Sequence, residues 1–218
     1  MVWNMFRVIL ISFFCLYQTC SQETDSALAE QLYMRLFKRQ RAEQLDAIKS
    51  FRQITNFEKQ IQMIDLMAEK VFTVIQESRA TIEASPYIPG VSDFPLDEKI
   101  RDSLSSILEN TALFSEIILR YPDISVSVLR TNNNWDVLLQ WSIAFCNQVR
   151  YLLDKPTKKL LHLVSQELNY IDKDPEYRNP YRNEFTKNQP KDEREEEKKK
   201  RKKKKEIKRG PRMSHNEF

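Results

Sequence analysis

The chain has 218 residues, 35 Lys and Arg against 31 Asp and Glu, and only two glycines, Gly90 and Gly210. So few glycines exclude a phosphate-cradling loop or a dinucleotide-binding turn, each of which needs several close together. The same scarcity, joined to long runs of three-and-four apolar spacing, argues against a β-sandwich or barrel and for an all-α protein.

The first 21 residues have the form of a signal peptide. Arg7 closes a short n-region, and Val8–Tyr17 is apolar except for Ser12. That run is too short to span a bilayer and suits an h-region, so no stable membrane insertion is expected. Thr19 and Ser21 stand at the −3 and −1 positions, so cleavage is expected between Ser21 and Gln22. Removing the leader takes away Cys15 and Cys20 and leaves Cys146 alone, which rules out an intramolecular disulfide. No Asn-x-Ser/Thr acceptor occurs in the chain, so N-glycans are not expected.

A compact bundle of about five helices is expected over residues 22–171. Ser26 is the expected N-cap of the first helix, with Leu28, Leu32, Leu36, Phe37, Leu45, Ile48 and Phe51 as its apolar stripe. Ile54, Phe57, Ile61, Ile64, Ala68, Val71 and Ile75 form a heptad seam in the second. That seam suits packing within the bundle or pairing with a partner, and the intramolecular reading is preferred. Pro86, Pro89, Gly90 and Pro95 then break the pattern into an ordered loop.

Asp97 is placed to cap a third helix, whose seam is Ile100, Leu104, Ile107, Thr111, Phe114, Ile118 and Tyr121. Pro122 ends it, and Asp123–Arg130 reads as a turn or two of helix. The densest apolar stretch is Asn132–Leu153, with Asn134 as its expected cap and Trp135, Leu138, Ser142, Phe145, Val149 and Leu152 on one face. An element apolar over so much of its girth is expected at the centre of the bundle. Leu160, Leu161, Val164 and Leu168 form a last short core helix.

Residues 172–190 read as a Pro- and Tyr-containing strap, with Tyr170, Tyr177, Tyr181 and Phe185 as anchors, and residues 191–218 as a charged tail. Thr186–Phe218 carries 14 Lys and Arg against 7 Asp and Glu, whereas Gln22–Phe185 carries 20 against 24. The basic block is Lys198, Lys199, Lys200, Arg201, Lys202, Lys203, Lys204 and Lys205, preceded by Glu195, Glu196 and Glu197 at the favourable four-residue spacing. Without interleaved aromatics it does not point to nucleic acid, and it reads as a solvated spacer or a contact for an acidic protein surface. The last four residues, His215, Asn216, Glu217 and Phe218, are close to the H-D-E-L class of ER retrieval signals, which implies a retrieval receptor as partner.

Catalytic machinery is not recognisable. The two His, His162 and His215, and the single mature Cys do not supply a zinc ligand set or a nucleophile–base pair. Glu109, Glu116 and Glu167 read as helix-surface carboxylates. A non-enzyme without cofactor or metal is expected.

The segments Pro95-Leu96-Asp97-Glu98-Lys99, Glu109-Asn110-Thr111-Ala112, Leu119-Arg120-Tyr121-Pro122, Asn134-Trp135, Phe145-Cys146-Asn147-Gln148, Gln166-Glu167-Leu168, Lys205-Glu206-Ile207 and Gly210-Pro211-Arg212 run in the order found in one family. On these the chain resembles the coiled-coil domain-containing protein 134 family. The resemblance implies a helical, non-enzymatic protein of the ER lumen, partly secreted; the bundle itself is expected to be monomeric. It further implies a chaperone-cofactor role, binding endoplasmin as a client and limiting its excess N-glycosylation during synthesis. A secreted signalling protein that modulates MAP-kinase pathways is the alternative, and a nuclear adaptor acting through the basic tail is a third. Two positions depart from the family pattern. Val149 stands where relatives can carry a glycan acceptor, and Phe218 replaces the terminal Leu.

Overall fold

The computed structural model describes residues 2–51, 53–54 and 56–182, with side chains from Asp25 onward. Among them are six α-helices and no strand: α1 Val2–Phe51, α2 Phe57–Glu83, α3 Glu98–Arg120, α4 Pro122–Thr131, α5 Asn133–Gln148 and α6 Lys155–Glu167. A single 3-10 turn, Arg150–Leu152, joins α5 to α6. The all-α bundle expected from the sequence is the architecture found.

Short polar side chains set most helix starts. Asn56 accepts from the Lys59 N–H, Asp97 from Ile100, and Asp154 from Thr157, each relieving an orphan donor of the first turn. Asn132, not Asn134, caps α5, accepting from the Asn134 N–H at 3.1 Å. Pro122 and Pro156 sit in the first turns of α4 and α6, where a missing N–H costs nothing.

The centre of the bundle is α3, which touches α1, α2, α4, α5 and α6. Its expected seam is buried from Leu104 to Tyr121, and the burial extends round the helix to Leu108, Ala112, Ser115, Glu116, Ile117, Leu119 and Arg120. The expectation that the stretch from Asn132 to Leu153 would be central is thereby corrected. Sequence apolarity undervalued α3, because it buries polar side chains that have partners inside. The expected face of α5 is nonetheless correct: Leu138, Ser142, Phe145, Val149 and Leu152 are buried, with Leu139, Ile143 and Cys146 beside them. Aromatic pairs tie the layers together, Phe72 of α2 lying edge-on to Phe114 of α3 at 5.0 Å and stacked on Trp135 of α5 at 5.5 Å.

The first helix departs furthest from expectation. It runs unbroken through Ser26, so Ser26 is not its cap; the buried hydroxyl donates instead to the Phe94 carbonyl at 2.8 Å. The buried stripe is Ser26, Tyr33, Phe37, Arg41, Ile48 and Phe51, while Leu28, Leu32 and Leu36 face solvent. In α2 the heptad seam is intramolecular from Ile64 to Ile75, but its first turns are not covered, and Phe57 and Ile61 are exposed.

The loop after α2 is ordered and docked. Tyr87 and Phe94 are buried, and Tyr33 of α1 meets Phe94 at 5.4 Å. Gly90 has φ +77° and lies so close to α5 that a Cβ there would stand 2.7 Å from the Gln148 carbonyl oxygen.

Beyond α6 the chain turns back along it. Gln166 is buried, and its Nε2 lies 2.8 Å from both His162 Nε2 and Asp174 Oδ2. Tyr170 donates to the Asp136 carboxylate and Tyr177 to Glu167. A separate unit begins at Arg178, within which the Tyr181 N–H donates to the Asn179 side chain at 2.9 Å. Phe185 lies outside the described residues.

Candidate interaction surface

An apolar opening is lined by the end of α1, the start of α2 and the second half of α3. It is a cavity of about 390 Å³, walled by Ile48 and Phe51 of α1, Ile54 of the connection, Met63 and Met67 of α2, and Leu113, Ile117 and Tyr121 of α3. Phe51 meets the Tyr121 ring edge-on at 5.2 Å, which fixes one wall. The unbranched thioethers of Met63 and Met67 form the adaptable one. Its lining suits apolar side chains; Gln44, Ser50 and Tyr121 are the lining residues with polar side-chain atoms.

Gln44, on the wall of this opening, also meets a buried charge cluster. Both Nε and Nη2 of Arg120 donate to Glu116 Oε1, at 2.9 and 2.7 Å, one turn apart on α3. Arg41 of α1 faces the other carboxylate oxygen at 3.6 Å and donates to Gln44 Oε1 at 2.6 Å. The surface placement expected for Glu116 is therefore corrected: it is 4% exposed, because two guanidiniums inside the bundle make its charge tolerable there. Glu109, one side of the same α1–α3 contact, is half-buried, and burial raises its carboxyl above the ordinary range while Arg41 opposes the rise. Burial also raises the Tyr33 hydroxyl, with the charge of Glu109 adding to it.

Cys146 is free and fully buried on α5, as expected, and burial pushes its thiol up to about 12. His162 is exposed on α6, remote in role from Cys146, its contacts being Gln166 and the Asp174 carboxylate at 3.8 Å. Among the described residues no group of three or more His, Cys, Asp or Glu is placed to hold a metal. Nor, among them, is any helix long and apolar enough to cross a membrane.

The expected retrieval residues His215, Asn216, Glu217 and Phe218, and the block Lys198–Lys205, lie outside the described residues. The Ser21–Gln22 bond falls within the helical run of α1. The charge cluster was not visible in the sequence, since Arg41 and Glu116 stand 75 positions apart (116 − 41) and neither interrupts a helical pattern.

The chain is similar to known proteins over most of its length. A family model described as "ERK and JNK pathways, inhibitor" matches residues 18–214. A mouse protein named coiled-coil domain-containing protein 134 is 35% identical over 195 residues, covering 86% of this chain and 85% of its own. A protein of the same name from Xenopus tropicalis is 37% identical over 161 residues, covering 74% of this chain and 69% of its own. No solved structure matches. With a family model spanning nearly the whole chain and relatives above 30% identity over most of both partners, the chain belongs to the coiled-coil domain-containing protein 134 family.

Proposed function

We propose that this protein is a non-enzymatic factor of the ER lumen that binds a folding client, endoplasmin, and limits its excess N-glycosylation. The observation that carries the reading is family membership across residues 18–214. The leader-like N-terminus and the terminal His215-Asn216-Glu217-Phe218 support the compartment. The helical bundle supports a role in binding: its buried charges are spent on one another, and its uncovered apolar surfaces suit protein partners.

The test is loss and re-expression in cells. Removing the protein should shift endoplasmin to a slower, glycosidase-sensitive form, and the full chain should reverse the shift. Deleting His215–Phe218 should raise the secreted fraction. Unchanged endoplasmin glycans after loss of the protein would end this reading.

A second reading is favoured by the family description as an inhibitor of ERK and JNK pathways. Here the protein lowers kinase output, acting after secretion. Applied to cells, the purified mature chain should then reduce ERK and JNK phosphorylation; no reduction at saturating protein would remove it.

A further inference from the structure

Leu28, Leu32 and Leu36 of α1 are 60%, 54% and 52% exposed, on a different side of the helix from the buried Tyr33 and Phe37. Steps of four set them in one ridge about 12 Å long. They are not needed by the bundle, which fills that part of its interior with Tyr33, Phe37 and Phe94. Asp25 and Glu30 lie at the start of the ridge, and basic residues dominate beyond them. From Gln31 to Ala42 the helix carries Arg35, Lys38, Arg39 and Arg41 and no carboxylate. Arg41 points inward to Glu116, and Arg39 pairs with Glu43 at 3.1 Å. Arg35, three residues from Leu32, is exposed beside the leucines, its Nε meeting its own helix at the Gln31 carbonyl, 3.4 Å away, and Lys38 is exposed farther round the same flank.

We propose that this ridge is a docking strip for an acidic amphipathic helix of another protein. The partner helix presents apolar residues at steps of three and four, with Asp or Glu along the flank that meets Arg35 and Lys38. The proposal rests on the reading that this chain works by binding proteins, and it supplies the surface and the partner chemistry.

A second copy of the chain fits less well. Parallel pairing would set Arg35 and Lys38 against the same cations, and antiparallel pairing about Leu32 would oppose only Asp25 to Arg39. Three leucines also offer on the order of a few hundred Å², against about 800 Å² per partner in a standard interface. A helix with carboxylates on its flank answers both cations while covering the ridge. The strip then contributes one anchor of a larger contact, steered by charge and seated by the leucines.

The test uses the full mature chain and a synthetic helical probe of about three heptads, with Leu at a and d and Glu at e and g. A control probe carries Lys at e and g. Anisotropy should detect the Glu probe at micromolar concentration, and the Lys probe should bind at least tenfold more weakly. The Leu28→Ser, Leu32→Ser, Leu36→Ser variant should lose at least tenfold at any salt. The Arg35→Glu, Lys38→Glu variant should lose at least tenfold at about 50 mM salt and less at about 500 mM, where screening is stronger. Both variants should melt with the parent, since all five side chains are exposed. No binding of the Glu probe, equal binding of both probes, binding unchanged in either variant, or a ridge-dependent dimer of the chain alone would overturn the proposal. Capture of endoplasmin and its glycan pattern separate the two levels. If they still depend on the chain while the probe results fail, only the docking strip falls. If the probe results hold and endoplasmin is indifferent to the chain, the strip stands and the client is another protein.

Discussion

Arg41 and Glu116 face each other at 3.6 Å across the contact between α1 and α3, both almost completely removed from solvent. With Arg120 on the same carboxylate, one acid serves two bases inside the bundle. Removing the acid takes a carboxylate from two cations in a dry site, which costs far more than the pair's own net contribution. Glu116→Ala should therefore lower stability by about 3–5 kcal/mol, read from urea midpoints. Replacing all three together, Arg41→Met, Glu116→Leu and Arg120→Met, should lose less than the single change. A single change as mild as an exposed substitution, under about 0.5 kcal/mol, would mean that water reaches the cluster.

Glu109 makes a prediction with a definite sign. Its folded pKa lies above its unfolded one, burial outweighing Arg41. The folded state therefore takes up the proton first as pH falls, and stability gains from this group as pH drops from the folded pKa to the unfolded one. At neutral pH the ionised form is a small penalty. Glu109→Gln should stabilise the protein at pH 7 by under about 1 kcal/mol, a figure discounted for the solvent that screens a half-exposed group. The gap between variant and parent should close on acidification. A gap that widens toward acid would reverse the assignment.

The thiol of Cys146, pushed up to about 12 by burial, should be inert in the folded protein. At pH 8 about one molecule in ten thousand would hold the reactive thiolate. Maleimide labelling should then follow unfolding, rising with urea along the same curve as the loss of helix. Stoichiometric labelling of the native chain within minutes would contradict the burial.

Gly90 is a position where any side chain should be felt. Its positive φ disfavours a Cβ, and the Gln148 carbonyl stands where that atom would go. Gly90→Ala should cost about 1–3 kcal/mol and loosen the loop that carries Tyr87 and Phe94. Hydrogen exchange in α5 near Gln148 should rise with it. Wild-type stability in the variant would mean that the loop detaches freely in solution.

What could be read from the sequence was whatever a single periodicity controls. The faces of α3 and α5 follow from Leu104, Ile107, Phe114 and Ile118, and from Leu138, Phe145 and Val149, because each recurs on one side of its helix. The first helix carries two apolar arcs, and the expected stripe mixed them: Phe37, Ile48 and Phe51 are buried as expected, whereas Leu28, Leu32 and Leu36 face solvent. The buried arc contains Arg41, which counts as polar until Glu116 is brought against it from another helix. Assigning Leu28, Leu32 and Leu36 to the core also hid the surface they form. The same blindness to partners made α5 seem central, since Glu116 and Arg120 lower the apparent apolarity of α3 while being buried in it. The basic block and the terminal tetrapeptide are legible only as composition and motif, and they lie outside the described residues.

The hydrogen bond from Ser26 to the Phe94 carbonyl links residues 68 positions apart, and it fixes an order of events during synthesis. At about 5–20 residues per second, the first helix waits roughly 3–14 s for the loop that latches it, and longer for the helix that covers Phe37 and Arg41. Throughout that interval both of its apolar arcs are uncovered on a nascent chain. Ribosome-bound chains arrested before Phe94 should show protease cleavage within α1, and chains whose emerged portion extends past Arg120 should resist it.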